Sequence, residues 1–234
     1  MRDTIRAFCR LVGQNFVCPD PVYEFGAYQV EGQEGFADLR EFFPGRRYVG
    51  CDLRLGPGVD RVEDVSAIRL PDAAVGTVLC VETFEHVFDV RRGFEEIHRI
   101  LRPGGVFAVS TVLNFPIHDH PADYWRMTPQ CLKRLMEPYA ARLVGYQGDA
   151  GFPHTVLAVG IKAPAGADVA QRADRFMEQY GSWLREAGRS LSWSHRLARG
   201  CWRVFGSPDT RRRIHREYVA EFEFADSVPS ARTG

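Results

Sequence analysis

The segment from Tyr48 to Ser110 constrains the fold more than any other part of the chain, because its short apolar runs each end in an acidic residue. One run is followed by Asp52, the next closes at Asp64, and the third is followed by Glu82. Short apolar runs bounded by turn residues predict buried strands, and the crossovers between them make those strands parallel. The three carboxylates then share the carboxyl edge of one sheet, where open α/β sheets bind ligands. A nucleoside-type ligand suits such an edge.

Length and charge exclude several classes of protein. The chain has 234 residues and a formal net charge of zero, so it can form an α/β domain with an appendage, and no global field draws it to nucleic acid or to an anionic membrane. No apolar stretch approaches the roughly 20 residues that span a bilayer. The six cysteines include no Cys-x-x-Cys pair, which is typical of a reducing compartment. We therefore expect a cytoplasmic protein with neither nucleic-acid nor membrane partners.

The remaining elements follow from hydrophobic periodicity and turn residues. Helices are predicted over 1–17, 35–43, 90–101 and 128–137. Strands are predicted over 22–25, 48–52, 59–64, 77–82, 105–111, 141–146 and 155–161. Because the composition shifts at 163–166, we divide the chain into a domain over 1–165 and a helical extension over 166–234. The aromatic face of that extension suits either packing on the domain or a homodimer seam.

Several motifs between 64 and 105 occur in a characteristic order. These are Asp64, Leu-Pro at 70–71, a strand at 78–81, Glu-His-Val at 85–87 and Leu-Arg-Pro-Gly-Gly at 101–105. In this the chain resembles the class I S-adenosylmethionine-dependent methyltransferases, specifically their type 11 branch, over residues 20–162. The resemblance implies a Rossmann-like, seven-stranded, mostly parallel sheet with helices on both faces and an antiparallel last strand. It also implies S-adenosylmethionine as cofactor, and it leaves the C-terminal extension uncovered.

The resemblance implies that Asp52 binds the ribose diol, that Asp64 and the backbone of Val65 meet the adenine edge, and that Glu82 lies near the methionine end. A carboxylate is suited to accept two hydrogen bonds from a diol. This chain departs from the glycine-rich first loop of the family, because Tyr28 occupies the position of the second glycine. We expect this ring to turn away from the cofactor or to pack on it. The complete set of predicted cofactor residues is Glu24, Gly26, Tyr28, Asp52, Leu53, Asp64, Val65 and Glu82.

The loop over 114–126 is expected to carry the acceptor chemistry. Histidine suits the removal of a proton from an acceptor hydroxyl near neutral pH, so His118 or His120 is the predicted base, with His86 as an alternative. Asp119 or Asp123 would orient that base. For His86, a structural bond to a backbone carbonyl is the competing interpretation. We predict no metal site here, because neighbouring residues of one loop rarely converge on one ion.

The segment over 123–126, at the end of this loop, has two interpretations of nearly equal weight. Its residues form the wall and anchor of the acceptor site, or they seat the loop on the sheet by packing and ion pairing. These residues are Asp123, Tyr124, Trp125 and Arg126.

The function expected from these features is S-adenosylmethionine-dependent O-methylation of a small polar metabolite or glycan-type acceptor. A non-catalytic methyltransferase-like module that acts as a scaffold or partner subunit is the alternative, since Tyr28 replaces a loop glycine. A nicotinamide-dependent oxidoreductase is a third hypothesis.

Overall fold

The computed structural model describes residues 1–118, 122–190, 197, 201, 204 and 207–226. In this part of the chain eight strands join one sheet: β1 Val22–Phe25, β2 Tyr48–Asp52, β3 Arg61–Val62, β4 Val75–Val81, β5 Leu101–Val112, β6 Ala141–Asp149, β7 Phe152–Ile161 and β8 Ala220–Asp226. Their order across the sheet is β3-β2-β1-β4-β5-β7-β6-β8. The first five strands of this order pair in parallel, and the last three join antiparallel.

This order confirms the predicted α/β class and the antiparallel closing pair, but the strand count is eight and not seven. The additional strand, β8, comes from a segment that we expected to be helical. It pairs with β6 along the sheet edge, Phe222 opposite Gly145 and Phe224 opposite Leu143. Because Phe and Glu alternate in this segment, one side of the strand is apolar, as a half-buried edge strand requires.

Five helices are described: α1 Asp3–Asn15, α2 Val90–Ile100, α3 Pro129–Leu135, α4 Val169–Arg189 and α5 Pro208–Arg216. The Asp89 side chain caps α2 by accepting from the Arg92 N–H, and the Thr128 side chain caps α3 by accepting from the Cys131 N–H. The helix predicted over 35–43 is wrong, since only Arg40–Phe42 forms a 3₁₀ turn.

The helix over 35–43 fails for a local reason. Gly35 has a φ of +77°, and the Asp38 side chain accepts from the Arg40 N–H at 2.9 Å. Such side-chain bonds stabilise turns in competition with helix.

Helices cover both faces of the sheet, as predicted. One face packs against α1 and α4, where Phe8, Phe176 and Tyr180 are fully buried. The other face packs against α2 and α3, with Phe94 and Phe107 in its core. The aromatic face of α4 thus packs on the sheet domain, and Phe176 also contacts Phe222 of β8, with ring centres 5.6 Å apart. The division at 165/166 and the homodimer both stay predictions.

In the ranges described above, none of the helices has the length and apolar character that crossing a bilayer requires.

Candidate active site

A cavity of about 850 Å³ opens at the carboxyl ends of the parallel strands. It is lined by residues that follow β1, β2, β4 and β5, and its shape and position fit a small-molecule site. The predicted site residues that line it are Glu24, Gly26, Tyr28, Asp52, Leu53, Asp64, Val65, Glu82, His86, His118 and Tyr124. Asp123, Trp125 and Arg126 are not among the lining residues. His120 and Asp119 lie outside the described residues.

The loop after β1 is held against the end of β2. The backbone N–H groups of Gly26 and Ala27 both donate to the Cys51 carbonyl, at 2.9 and 3.0 Å. The Tyr28 N–H donates to Oδ2 of Asp52 at 3.3 Å. These bonds place the Asp52 carboxylate at the cavity wall beside the first loop.

Both the backbone conformation and the surrounding atoms require glycine at position 26. Its φ is +85°, and a Cβ built there would lie 2.0 Å from Oγ1 of Thr83. Only glycine lets the β1 loop approach the β4 loop this closely.

The Tyr28 side chain packs on the loop between β2 and β3. The guanidinium carbon of Arg54 lies 4.1 Å from its ring centre, within cation–π range. A Cβ built on Gly56 would lie 2.2 Å from the same ring. Tyr28 is thus anchored to a neighbouring loop while it still lines the cavity.

At the β3 end, Asp64 is exposed and shapes a turn. Its Oδ1 accepts from the Ser66 N–H at 2.8 Å and from the Ser66 hydroxyl at 2.7 Å. The sequence analysis missed the adjacent Glu63, a cavity-lining carboxylate that is 2% exposed. Burial alone would raise the pKa of Glu63, but the Arg69 N–H and the Arg61 guanidinium outweigh burial and lower it.

Glu82 leaves β4 in a strained conformation. Its φ is +49°, which is unusual for a residue with a side chain, and its N–H donates to the Ser110 carbonyl of β5 at 2.9 Å. The carboxylate forms an ion pair with Arg2, which also donates to the Thr155 hydroxyl at 2.7 Å. The sequence analysis missed Arg2, which joins the N-terminal region to the ends of β4 and β7.

Two of the buried carboxyl groups that line the cavity, Glu24 and Glu85, have a raised pKa. Glu24 accepts from the Tyr48 hydroxyl at 2.6 Å, and burial raises its pKa to about 7. Glu85 is fully buried and accepts from the Thr111 hydroxyl at 3.2 Å, and burial raises its pKa to about 8. Oε1 of Glu85 has no hydrogen-bond partner among the described residues. The sequence analysis named Glu85 only as part of a motif.

His86 and His118 form the other end of the cavity. Nδ1 of His86 donates to the Ala122 carbonyl at 2.6 Å, which is the backbone bond considered from the sequence. Nδ1 of His118 lies 3.1 Å from the Pro116 carbonyl and 3.2 Å from Oδ2 of Asp123. Protein oxygens at both Nδ1 atoms favour the tautomer whose basic lone pair is on Nε2.

The residues after His118 seat the loop. Arg126 pairs with both carboxylate oxygens of Asp123, and these contacts, above all the hydrogen bond from Arg126, hold the pKa of Asp123 well below its usual range. Nε1 of Trp125 donates to the Val87 carbonyl at 3.0 Å, and the Tyr124 N–H donates to the Glu85 carbonyl at 2.7 Å. These contacts agree with the loop-seating interpretation for Asp123, Trp125 and Arg126, whereas Tyr124 lines the cavity.

One cluster of described residues has donor atoms suited to a metal. A carboxylate oxygen of Glu85 and a ring nitrogen each of His86 and His118 lie within 4.8 Å of one another. The predicted absence of a metal stays a prediction.

Comparison with known proteins agrees with this geometry. Residues 39–109 match a family described as a methyltransferase domain, type 11. A probable S-adenosylmethionine-dependent methyltransferase from Mycolicibacterium smegmatis is 40% identical over 65 residues, which are 28% of this chain and 23% of that protein. The match thus spans less than a quarter of that relative's length.

Among solved structures, the 1,6-didemethyltoxoflavin-N1-methyltransferase of Burkholderia thailandensis, bound to 1,6-didemethyltoxoflavin and S-adenosylhomocysteine, has a TM-score of 0.52. It is 19% identical, and the match covers 68% of this chain and 78% of that one. At this identity the likeness concerns the fold. The family match agrees with the sheet order, so residues 39–109 are similar to the type 11 S-adenosylmethionine-dependent methyltransferases.

Proposed function

We propose that this chain transfers a methyl group from S-adenosylmethionine to a hydroxyl of a small polar metabolite or glycan-type acceptor, with a loop histidine as the base. The observation that carries this proposal is the single cavity that holds the acids after β2 and β3 at one end and the His86–His118 pair at the other. Nucleic acid and membranes are not proposed as partners.

The residues present fit the cofactor. Asp52 and Asp64 offer carboxylate oxygens to a ribose diol and an adenine amino group. Gly26 keeps the first loop free of a Cβ that would collide with Thr83. When bound, S-adenosylmethionine supplies a methyl group on a positively charged sulfur.

The proposed base lies on the loop after β5. With Nδ1 facing Asp123, Nε2 of His118 is the atom that would take the acceptor's hydroxyl proton. Asp123 also accepts from the His118 backbone N–H at 2.9 Å, so it orients the residue at two points. His86, whose ring centre lies 4.8 Å away, is the second candidate.

The acceptor would enter along an aromatic wall. Phe88 and Tyr124 both line the cavity and are 72% and 49% exposed, and their ring centres lie 5.4 Å apart. An exposed aromatic pair at a cavity mouth offers a flat apolar surface to a ring-shaped ligand. This surface supports an acceptor with a ring, such as a sugar.

The non-catalytic alternative rests on Tyr28, which occupies the position of a loop glycine and contributes to the cavity wall. Calorimetric titration separates the hypotheses. Binding of S-adenosylhomocysteine at micromolar concentration supports the donor site, and no binding at high micromolar concentration would leave the scaffold hypothesis. Stabilisation by a nicotinamide cofactor alone would favour the oxidoreductase.

The acceptor class is tested with donor carrying a radiolabelled methyl group. Sugars and nucleotide sugars, phenols and amines are offered as separate panels, and the labelled product is identified by mass spectrometry. Label on a sugar hydroxyl is the expected result. Label found only on nitrogen or carbon would contradict O-methylation.

A further inference from the structure

Glu85 is a buried carboxyl group, and in the described ranges its second oxygen has no hydrogen-bond partner. The side chain is 0% exposed and lines the cavity, and only Oε2 is bonded, to the Thr111 hydroxyl of β5. Oε1 has no hydrogen bond in the described part of the chain. Burying a polar oxygen without a hydrogen bond costs free energy, unless a ligand that binds there interacts with that oxygen.

The position of Glu85 along the cavity indicates which part of a ligand it meets. The sheet order puts β3 and β2 at one end, β1 in the middle, and β4 and β5 at the other. Asp52 and Asp64 mark the adenosine end, whereas Glu85 lies with His86 and His118 at the far end, within 4.8 Å. The proposed methyl acceptor is activated there, so the donor sulfur belongs next to Glu85.

We infer that Glu85 recognises the positive charge of the donor sulfonium and thereby makes the site prefer S-adenosylmethionine to its neutral-sulfur product, S-adenosylhomocysteine. The inference rests on the proposed function and adds a specificity-determining residue to it. A buried carboxylate is the strongest counter-charge that a protein can place beside a cation, since little solvent screens the pair.

The environment of Glu85 makes this recognition depend on pH. Burial raises its pKa to about 8, so near neutral pH the ligand-free site holds mostly the neutral acid. The titratable and charged groups around it are Cys80, Glu82, His86, His118 and Arg126. A bound sulfonium favours the carboxylate, so binding of the donor releases the proton of Glu85. The product, which carries no charge on sulfur, has no such effect.

The affinity for the donor should therefore increase with pH. Below the pKa of the free site, donor affinity rises by up to tenfold for each pH unit, and above that pKa it levels off. Between pH 6.5 and 8.5 the affinity for S-adenosylmethionine should increase on the order of tenfold relative to that for S-adenosylhomocysteine.

The experiment is calorimetric titration of both ligands at pH 6.5, 7.5 and 8.5, each in two buffers of different ionisation enthalpy, which yields the number of protons released. Wild type should release close to one proton per donor at pH 7 and none per product. Glu85→Gln keeps the shape of the neutral acid, and it should abolish both the release and the pH-dependent preference. The donor's own amino group titrates equally with both proteins, so their difference isolates Glu85.

Two further variants serve as controls. Glu95→Gln carries the same substitution on the exposed face of α2 and should behave as wild type. Glu24→Gln removes the other cavity carboxyl whose pKa burial raises, to about 7, and it should retain the pH-dependent preference that Glu85 provides.

Three results would overturn the inference. A donor-to-product affinity ratio that is constant with pH in wild type would do so, even if Glu85→Gln did not fold. So would a pH dependence that survives Glu85→Gln but disappears in Glu24→Gln. Thermal stabilisation by Zn²⁺ or Mn²⁺ that Glu85→Gln removes would assign Glu85 and the two histidines to a cation instead. If neither ligand binds at any pH, the proposed function itself fails, which is a distinct outcome.

Discussion

The imidazole rings of His86 and His118 meet edge to face, with their centres 4.8 Å apart and their planes at 82°. His86 follows β4 and His118 follows β5, and these strands are neighbours in the sheet. The hydrogen bond from Trp125 to the Val87 carbonyl holds the second loop against the first, and the Asp123–Arg126 ion pair braces the second loop internally. The histidine end of the cavity is thus made by two chain segments that only the sheet brings together.

Replacing either histidine should separate donor binding from turnover. For His118→Gln we expect turnover to fall by about 10²–10⁴-fold, the usual contribution of a general base, while the affinity for S-adenosylhomocysteine stays within twofold of wild type. Initial rates with an acceptor that the labelling panels reveal, together with calorimetry, provide the two measurements. Full activity in His118→Gln together with a large loss in His86→Gln would move the base to His86.

Asp52→Asn should weaken the donor site without unfolding the protein. Loss of a charge-assisted hydrogen bond costs about 1.5–3 kcal/mol, so the Kd for S-adenosylhomocysteine should rise roughly tenfold to a hundredfold. Asp174→Asn, on the exposed face of α4, is the matched control. Equal affinities for the two variants would remove Asp52 from the site.

Gly26→Ala should damage both stability and the cavity. The positive φ and the collision with Thr83 together should cost about 1–3 kcal/mol, and the displaced β4 loop should weaken donor binding. Gly32→Ala isolates the backbone effect, because Gly32 has a φ of +80° and its Cβ would meet nothing within 4 Å. Urea denaturation and calorimetry on both variants test this. Equal losses would show that contact with Thr83 is unimportant.

The ligand-free protein should become less stable as pH rises from 6.5 to 8.5. Glu24 and Glu85 have folded-state pKa values near 7 and 8, above their ordinary value, so the folded state keeps protons that the unfolded state has already released. The free energy of unfolding therefore falls with pH in this window and levels off above pH 8. Half-buried His154, whose pKa is lowered to about 4, acts in the opposite direction only below pH 6.5.

Urea denaturation at pH 6.5, 7.5 and 8.5 measures this decline. In the double variant Glu24→Gln/Glu85→Gln the free energy of unfolding should be nearly independent of pH over the same range. If the free energy of unfolding of the double variant declined as steeply as that of wild type, Glu24 and Glu85 would not be the source of the pH dependence.

Local patterns predicted several elements of the sheet domain. The strands before Asp52 and Glu82, and the helices capped by Asp89 and Thr128, are short-range features, because propensity and capping act within a few residues. The alternation of Phe222 and Phe224 with glutamates was also a strand signal, and it could have identified β8. Its place on the sheet edge, however, depends on pairing with β6, far away in the sequence.

The sequence by itself determined a parallel sheet with acids at its carboxyl edge, because strand length, crossovers and strand-end residues are all local. The tertiary structure alone decided that Arg2 pairs with Glu82, that Tyr28 packs on Arg54, and that Oε1 of Glu85 is buried with no hydrogen-bond partner among the residues described. Each of these depends on groups from distant segments that meet only after the sheet has formed. Burial and charge pairing depend on the completed packing, and they set the chemistry of this cavity.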